Sequence, residues 1–288
     1  MRLARPIYRQ LRTKYLQWRY PQGGYVLGNG IRVFCNFAHP SYMWYDADSP
    51  NLAFDQQVIR AVIAQSEGDV FIDVGAHFGF FSAYLGELLS HRSAPSKIIA
   101  LEPDKEHFRC LKETVRPYVN QNVILLPFAI SDSEGHVTLY KSDAPCLHSY
   151  KEANAVSCYQ VKAISLDSIA RLYTNEEEKI AFIKIDVDGA EPLLFAGGKE
   201  AISKHKPIML MEFAPDGLRQ AGVEPQEFFN QLCHNFCVYW LSYESWTIRR
   251  IGCKDYEEMV KSVGNRITDL LLSSASLSFP APLAEKRQ

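Results

Sequence analysis

The seven cysteines, Cys35, Cys110, Cys146, Cys158, Cys233, Cys237 and Cys253, are odd in number and form no CxxC pair. A structural zinc site needs four ligands and finds no framework in that spacing; free thiols in a reducing, cytoplasmic setting are the expectation. The chain also lacks any uninterrupted run of ~20 apolar residues, so no membrane-crossing helix is expected, and no secretory apolar region follows the basic start. Internal repeats and low-complexity segments are absent as well. Acidic residues are missing from positions 1 to 45, which carry seven basic ones, so the remainder of a chain of net charge -2 stands at -9. A mildly acidic body speaks against nucleic acid as a partner. The composition, 47% hydrophobic and 22% charged, is that of a soluble globular protein with material for one large core.

The basic start has a pattern. Leu3, Ile7, Leu11, Tyr15 and Trp18 fall on one helical face, and Arg2, Arg5, Arg9, Arg12 and Arg19 on the other. Such a helix over residues 1–20 can lie peripherally on an anionic membrane; it can equally pack its apolar stripe on the body. GYVLGNGIRVFCNF reads as a hairpin turning at Asn29-Gly30. These features make residues 1–45 a basic extension, with residues 46–288 as the main domain.

From residue 52 the chain alternates helix and strand. Apolar strands are expected at 70–74, 97–101, 123–126, 181–185 and 207–213, with helices at 52–65, 79–89, 105–119 (capped by Asp104), 166–173, 191–204 and 225–235. Extended segments are expected at 136–140 and 158–163, late strands at 238–243, 247–251 and 268–273, and a loose tail. Short apolar strands alternating with helices imply an α/β fold, a parallel sheet covered on both faces. Ligands bind such sheets beyond the carboxyl ends of the strands, so the residues after each strand carry the information.

After the first strand, FIDVGAHFGFFS gives D-x-G-x-x-x-G, with Asp73, Gly75 and Gly79 shaping a close turn into a helix. His77 breaks the G-x-G-x-x-G dinucleotide pattern. After the second strand stands Glu102, placed to accept both hydroxyls of a ribose. Phe128 to Ile130, after the third, can flank an adenine or simply form a buried turn. After the fourth comes FIKIDVDGAE, where Asp186, Asp188 and Glu191 crowd together. With Gly189 as sixth residue of a calcium loop, the first would be Lys184 and the twelfth Phe195, so that reading fails. Asp186-Val187-Asp188 has the D-x-D form of nucleotide-sugar glycosyltransferases, which have no evident use for the glycine turn. A third reading puts Asp186 at the crevice as a catalytic edge, while Asp188 and Glu191 simply favour a helix start. Lys184 alternates onto the side of Asp186 and needs a partner, Asp186, Glu212 or Asp73. Glu212, after the fifth strand, either faces the site or ends the strand in water.

FIDVGAHFGFFS, ALEPD, ILLPFAISDSEG, ISLDSI, FIKIDVDGAEPLLFAGG and KPIMLMEF together resemble the FkbM family of S-adenosylmethionine-dependent methyltransferases, over roughly residues 69 to 213 and in that family's order. The resemblance implies a class I methyltransferase (Rossmann-like) fold, a seven-stranded, mostly parallel sheet with a terminal antiparallel strand. It implies S-adenosylmethionine as cofactor and methylation of a hydroxyl on a small-molecule, sugar or glycolipid-type acceptor; no residue is assigned to a metal. By the same resemblance, Asp73, Gly75, Ala76, His77 and Gly79 form the turn around the methionine part, Glu102 and Pro103 take the ribose, Phe128 and Ala129 lie by the adenine, and Asp186 faces the reaction centre. Asp186 is the proposed base or orienting group, with Glu212 and His77 as alternates, and Lys184 is a candidate to orient the base. Many family members have glutamate where Asp188 stands, a mild departure. The competing readings are a D-x-D glycosyltransferase and an inactive methyltransferase-fold binding subunit.

Overall fold

VFIDV is buried along its whole length, four of its five side chains being apolar, and a strand buried on both faces belongs at the centre of a covered sheet. In the computed structural model it does. The structure describes residues 14–15, 24–26, 30–35, 50–92, 95–142, 148–149, 155–264 and 267–280. The expected helix over residues 1–20 lies outside these except for Lys14 and Tyr15, as does most of the segment between 141 and 157.

Strands β1 (Gly24–Val26) and β2 (Arg32–Phe34) pair antiparallel, as the Asn-Gly turn predicts, and Gly30 takes a positive φ of 85°. Ile31, Val33 and Cys35 are buried in the core. Helix α1 (Pro50–Ile63) leads to β3 (Val70–Val74), followed by α2 (Phe80–Leu89), β4 (Lys97–Leu101), α3 (Lys105–Val115) and β5 (Val123–Leu126). The Phe34 amide donates to Thr114 Oγ1 at 2.9 Å, which ties the hairpin to α3. A smaller sheet follows, built from β6 (Ala129–Ile130), β7 (Gly135–Ser142), β8 (His148–Ser149) and β9 (Ala155–Ile164). The chain then returns through α4 (Leu166–Tyr173) to β10 (Ile180–Ile185), α5 (Glu191–Ala196), α6 (Lys199–His205) and β11 (Ile208–Phe213). It finishes with α7 (Pro215–Gln220), α8 (Pro225–Asn235), β12 (Cys237–Ser242), β13 (Thr247–Ile251), α9 (Tyr256–Val263) and β14 (Thr268–Ser273).

The large sheet runs β13-β12-β14-β11-β10-β3-β4-β5. Strands β5, β4, β3, β10 and β11 are parallel, and the order reverses between β3 and β10. The class is the one expected, with two corrections. The sheet has eight strands rather than seven, because the β12–β13 hairpin adds an edge strand whose Arg249 and Arg250 point outward; charged residues there discourage further pairing. The antiparallel strand β14 is also internal, inserted between β11 and β12.

Alternation divides the side chains of this sheet. Ile72, Val74, Ile183, Ile185, Met209 and Met211 meet α4, α5, α7, α8 and α9 on one face. Phe71, Phe182, Ile208, Tyr239 and Leu271 meet α1 and α2 on the other. The helix expected over 191–204 is two, α5 and α6, broken at Gly197-Gly198. A Cβ on Gly197 would stand 2.7 Å from Asp132 Cα, and one on Gly198 2.7 Å from the Leu166 side chain. The close packing there, not a turn, explains both glycines. The described part of the tail, residues 275–280, is less loose than expected: the Ser278 amide donates to Gln65 Oε1 at 2.8 Å, and Phe279 packs edge-on to Tyr239.

Candidate active site

At the carboxyl ends of the parallel strands, where their order reverses, a cavity of about 360 Å3 opens. One side is the turn after β3. Gly75, Ala76 and His77 line it, Gly75 has φ 80° and His77 φ 51°. A Cβ on Gly75 would lie 1.8 Å from the Asp186 carbonyl oxygen, so only glycine lets the two strand ends approach this closely. Asp73 and Gly79, expected to shape the same turn, do so from beneath, and neither lines the cavity. Asp73 is fully buried and accepts from Ser82 Oγ at 2.6 Å. Gly79, with φ 84°, is the N-cap of α2 and packs against Leu111 and Thr114.

Glu102 follows β4 and lines the cavity beside Pro103. Its two carboxylate oxygens accept the amides of His77 and Asp104, each at 2.8 Å, which fixes the carboxylate plane. The His77 ring rests against the His107 ring at 4.3 Å, at this same end. Asp104 caps α3, accepting the amides of Glu106 and His107, and its other oxygen accepts Tyr159 Oη at 2.6 Å. That bond joins the small sheet to the large one. Phe128, Ala129 and Ile130 complete this wall.

Across the switch point stand the residues of β10 and β11. Lys184 donates to the Gly75 carbonyl at 2.8 Å, forms an ion pair with Asp186 at 3.1 Å, and lies 3.6 Å from Asp73. Burial pulls its pKa down, but Asp186 and Asp73 together outweigh that and hold the ammonium above its ordinary value. Asp73, next to it on β3, is pushed up by burial against the pull of Lys184. Of the three partners considered for Lys184, the structure chooses Asp186 and Asp73. Glu212 faces into the cavity rather than ending its strand in bulk water. Burial first, then Asp186, Asp188 and Asp269, raise its pKa well above the carboxylate range.

The three crowded carboxylates separate by environment. Asp186 lines the cavity with its side chain 41% exposed. Asp188 lines it too and has φ 49°, so it belongs to the turn and not merely to a helix start. Glu191 is buried and accepts the amides of Val187 and Gly189 at 3.4 and 3.3 Å, bracing the loop that carries Asp186. Burial lifts its pKa to about 7, against those amides. Among the described residues, no group of three or more His, Cys, Asp or Glu is arranged to hold a metal ion.

Among the lining residues not singled out from the sequence are Asp55 of α1, Tyr243 just after β12, and Asp269 of β14. Tyr243 Oη lies 2.7 Å from Asp55 Oδ1 and also bonds Asp269 Oδ2. Burial is the main cause that raises Asp55 to about 7 and Asp269 to about 6. Asp269 stands cross-strand from Glu212. The sequence around them carries no local motif: Asp55 sits within an amphipathic helix, Tyr243 just past an apolar strand, and Asp269 is one polar residue near the start of another.

Residues 73–239 match the profile of the methyltransferase FkbM domain. The chain belongs to the FkbM methyltransferase family. No curated protein matches it. Solved structures similar to it include a methyltransferase FkbM from Methylobacillus flagellatus KT, with 16% identity and a TM-score of 0.44 over 71% of this chain and 43% of that one. An O-methyltransferase from Bacillus cereus in complex with SAH has 14% identity and a TM-score of 0.42 over 78% and 80% of the two chains. A putative methyltransferase from Streptococcus mutans, SMU.1697c, also in complex with SAH, has 10% identity and a TM-score of 0.40 over 77% and 96%. The chain spans less than half the length of the first of these. The family assignment rests on the profile match and not on these loose likenesses.

Proposed function

We propose that this FkbM-family chain transfers a methyl group from S-adenosylmethionine to a hydroxyl oxygen of a small-molecule, sugar or glycolipid-type acceptor. The observation that carries it is the pairing of a glycine-only turn at Gly75 with a fixed carboxylate at Glu102 in one cavity. A space a Cβ would fill, beside a carboxylate with its remaining lone pairs free to meet a ribose, fits an adenosine-type cofactor. Gly75, Ala76, His77, Glu102, Pro103, Phe128 and Ala129 would hold it. When bound, it supplies an electrophilic methyl group carried on a sulfonium.

The chain's own contribution is alignment and proton management. Asp186 and Glu212 flank the space beyond the Gly75 turn. Asp186 is committed to Lys184, and so serves to orient the acceptor. Glu212 has no such partner, and its raised pKa suits a group that takes the acceptor's hydroxyl proton as the oxygen gains its methyl. Lys184 is a positioning residue, tying Asp186 to the Gly75 carbonyl. His77 belongs to the Glu102 end through its amide and ring.

Calorimetry with S-adenosylhomocysteine against a nucleotide sugar tests the reading. Binding of the first alone is expected. Binding of the nucleotide sugar alone would favour a glycosyltransferase built on Asp186-Val187-Asp188, and binding of neither would leave a degenerate binding subunit.

A further inference from the structure

Beyond the cofactor end, the cavity has a lobe of distinct chemistry. Its polar lining is Asp55, Asp186, Asp188, Glu212, Tyr243 and Asp269. The histidines of the cavity stand at the Glu102 end, and no arginine is among the described lining residues. Lys184 is the one lysine there, and it is occupied by the Gly75 carbonyl, Asp186 and Asp73.

Proton counting sharpens this. A phenol carries one hydrogen, so Tyr243 can donate to only one of Asp55 and Asp269. The other contact is a hydrogen bond only if that carboxyl keeps its own proton. Two acids bridged by one hydroxyl therefore share a proton between them. Glu212, across the sheet from Asp269, lacks even that: among the described residues nothing donates to its side chain, and it is aimed into the cavity. Glu212 is partly exposed to the cavity, but a carboxyl desolvated among other acids is costly without a donor, and the space in front of it is where a ligand's donor would stand.

We propose that the Glu212–Asp269–Tyr243–Asp55 lobe binds the methyl acceptor through uncharged or cationic hydrogen-bond donors, hydroxyl or ammonium, and rejects an acceptor that places a carboxylate or phosphate there. The apolar body of the acceptor rests on Ile59, Phe80 and Phe81, which line the same cavity. This rests on reading the cavity as a methyl-acceptor site. An anion in the lobe adds to the repulsion among carboxyls and meets no free cation among the described residues; a donor relieves it.

Matched probes test the inference: benzyl alcohol, benzylamine and benzoate, titrated by calorimetry into the full chain saturated with S-adenosylhomocysteine. Benzyl alcohol and benzylamine are expected to bind at least about ten-fold tighter than benzoate. In Glu212→Gln/Asp269→Asn, and separately in Asp55→Asn should the double variant fail to fold, that gap narrows to about three-fold or less. Benzylamine binding more tightly than benzyl alcohol would identify an ammonium as the preferred donor, the reverse order a hydroxyl, and equal affinities a lobe that takes either. Benzoate matching benzyl alcohol, a gap unchanged in the variants, or binding of none of the three overturns the proposal. Absence of S-adenosylhomocysteine binding would instead sink the methyltransferase reading itself, so the two failures are distinguishable.

Discussion

A single hydrogen at Gly75 decides how close β3 and β10 come at their ends. Gly75→Ala would drive a methyl into the Asp186 carbonyl and force φ 80° on a residue with a Cβ. A loss of about 2 kcal/mol or more is expected, read as a lower urea midpoint. Glu212 gives a kinetic prediction. A base must be deprotonated to act, so methyl transfer should rise with pH through the elevated pKa of Glu212. Glu212→Gln should remove that limb of the profile and slow transfer by about 10²–10⁴-fold. Asp186→Asn should leave S-adenosylhomocysteine affinity within a few-fold while transfer falls by orders of magnitude; near-normal turnover would refute its orienting role. Gly75, Glu102 and Asp186 are legible in the sequence because each sits in a local strand–turn motif whose geometry is set by neighbours. Asp55, Tyr243 and Asp269 are not. Tyr243 is 188 residues from Asp55 and 26 from Asp269, and only closure of the sheet brings them together.

At the scale of elements, α1 is fastened across the acceptor lobe. Asp55 reaches Tyr243, Phe54 meets the rings of Tyr243 and Trp246, and Gln65, just beyond the helix, holds Ser278. The Asp55 fastening is pH-sensitive with a definite sign. Asp55 and Asp269 have folded pKa values near 7 and 6 against 3.8 for a free aspartate. The folded state therefore binds their protons more strongly, and this contribution is complete below pH 3.8 and is lost as pH rises through about 6 to 7. Thermal unfolding of the ligand-free protein should show Tm falling by a few degrees between about pH 5 and pH 8. Asp55→Asn, which cannot ionise, should flatten that slope; an unchanged slope would mean that other groups govern it. The position of α1 was legible from its apolar spacing, but the break between α5 and α6 was not. Helical periodicity continues through Gly197-Gly198, and the cause of the break, contact with Asp132 and Leu166, is non-local.

For the whole molecule, ligand binding and stability are linked. S-adenosylhomocysteine at roughly a hundred times its dissociation constant should stabilise the chain by about 2.7 kcal/mol, visible as a raised Tm. The parallel half of the sheet was legible because its strands are continuous apolar runs separated by helices. The antiparallel half was legible as strands but not as an order, since nothing local tells β14 to enter between β11 and β12. That insertion bears on how the protein is made. On the ribosome, β11 and the β12–β13 hairpin emerge well before Thr268–Ser273, and until then each presents an unpaired edge. The nascent chain thus has a sheet in two pieces with Asp269 missing from the lobe between them. The edges are exposed late in synthesis, not early, and a chain released before residue 268 should have no acceptor site to offer.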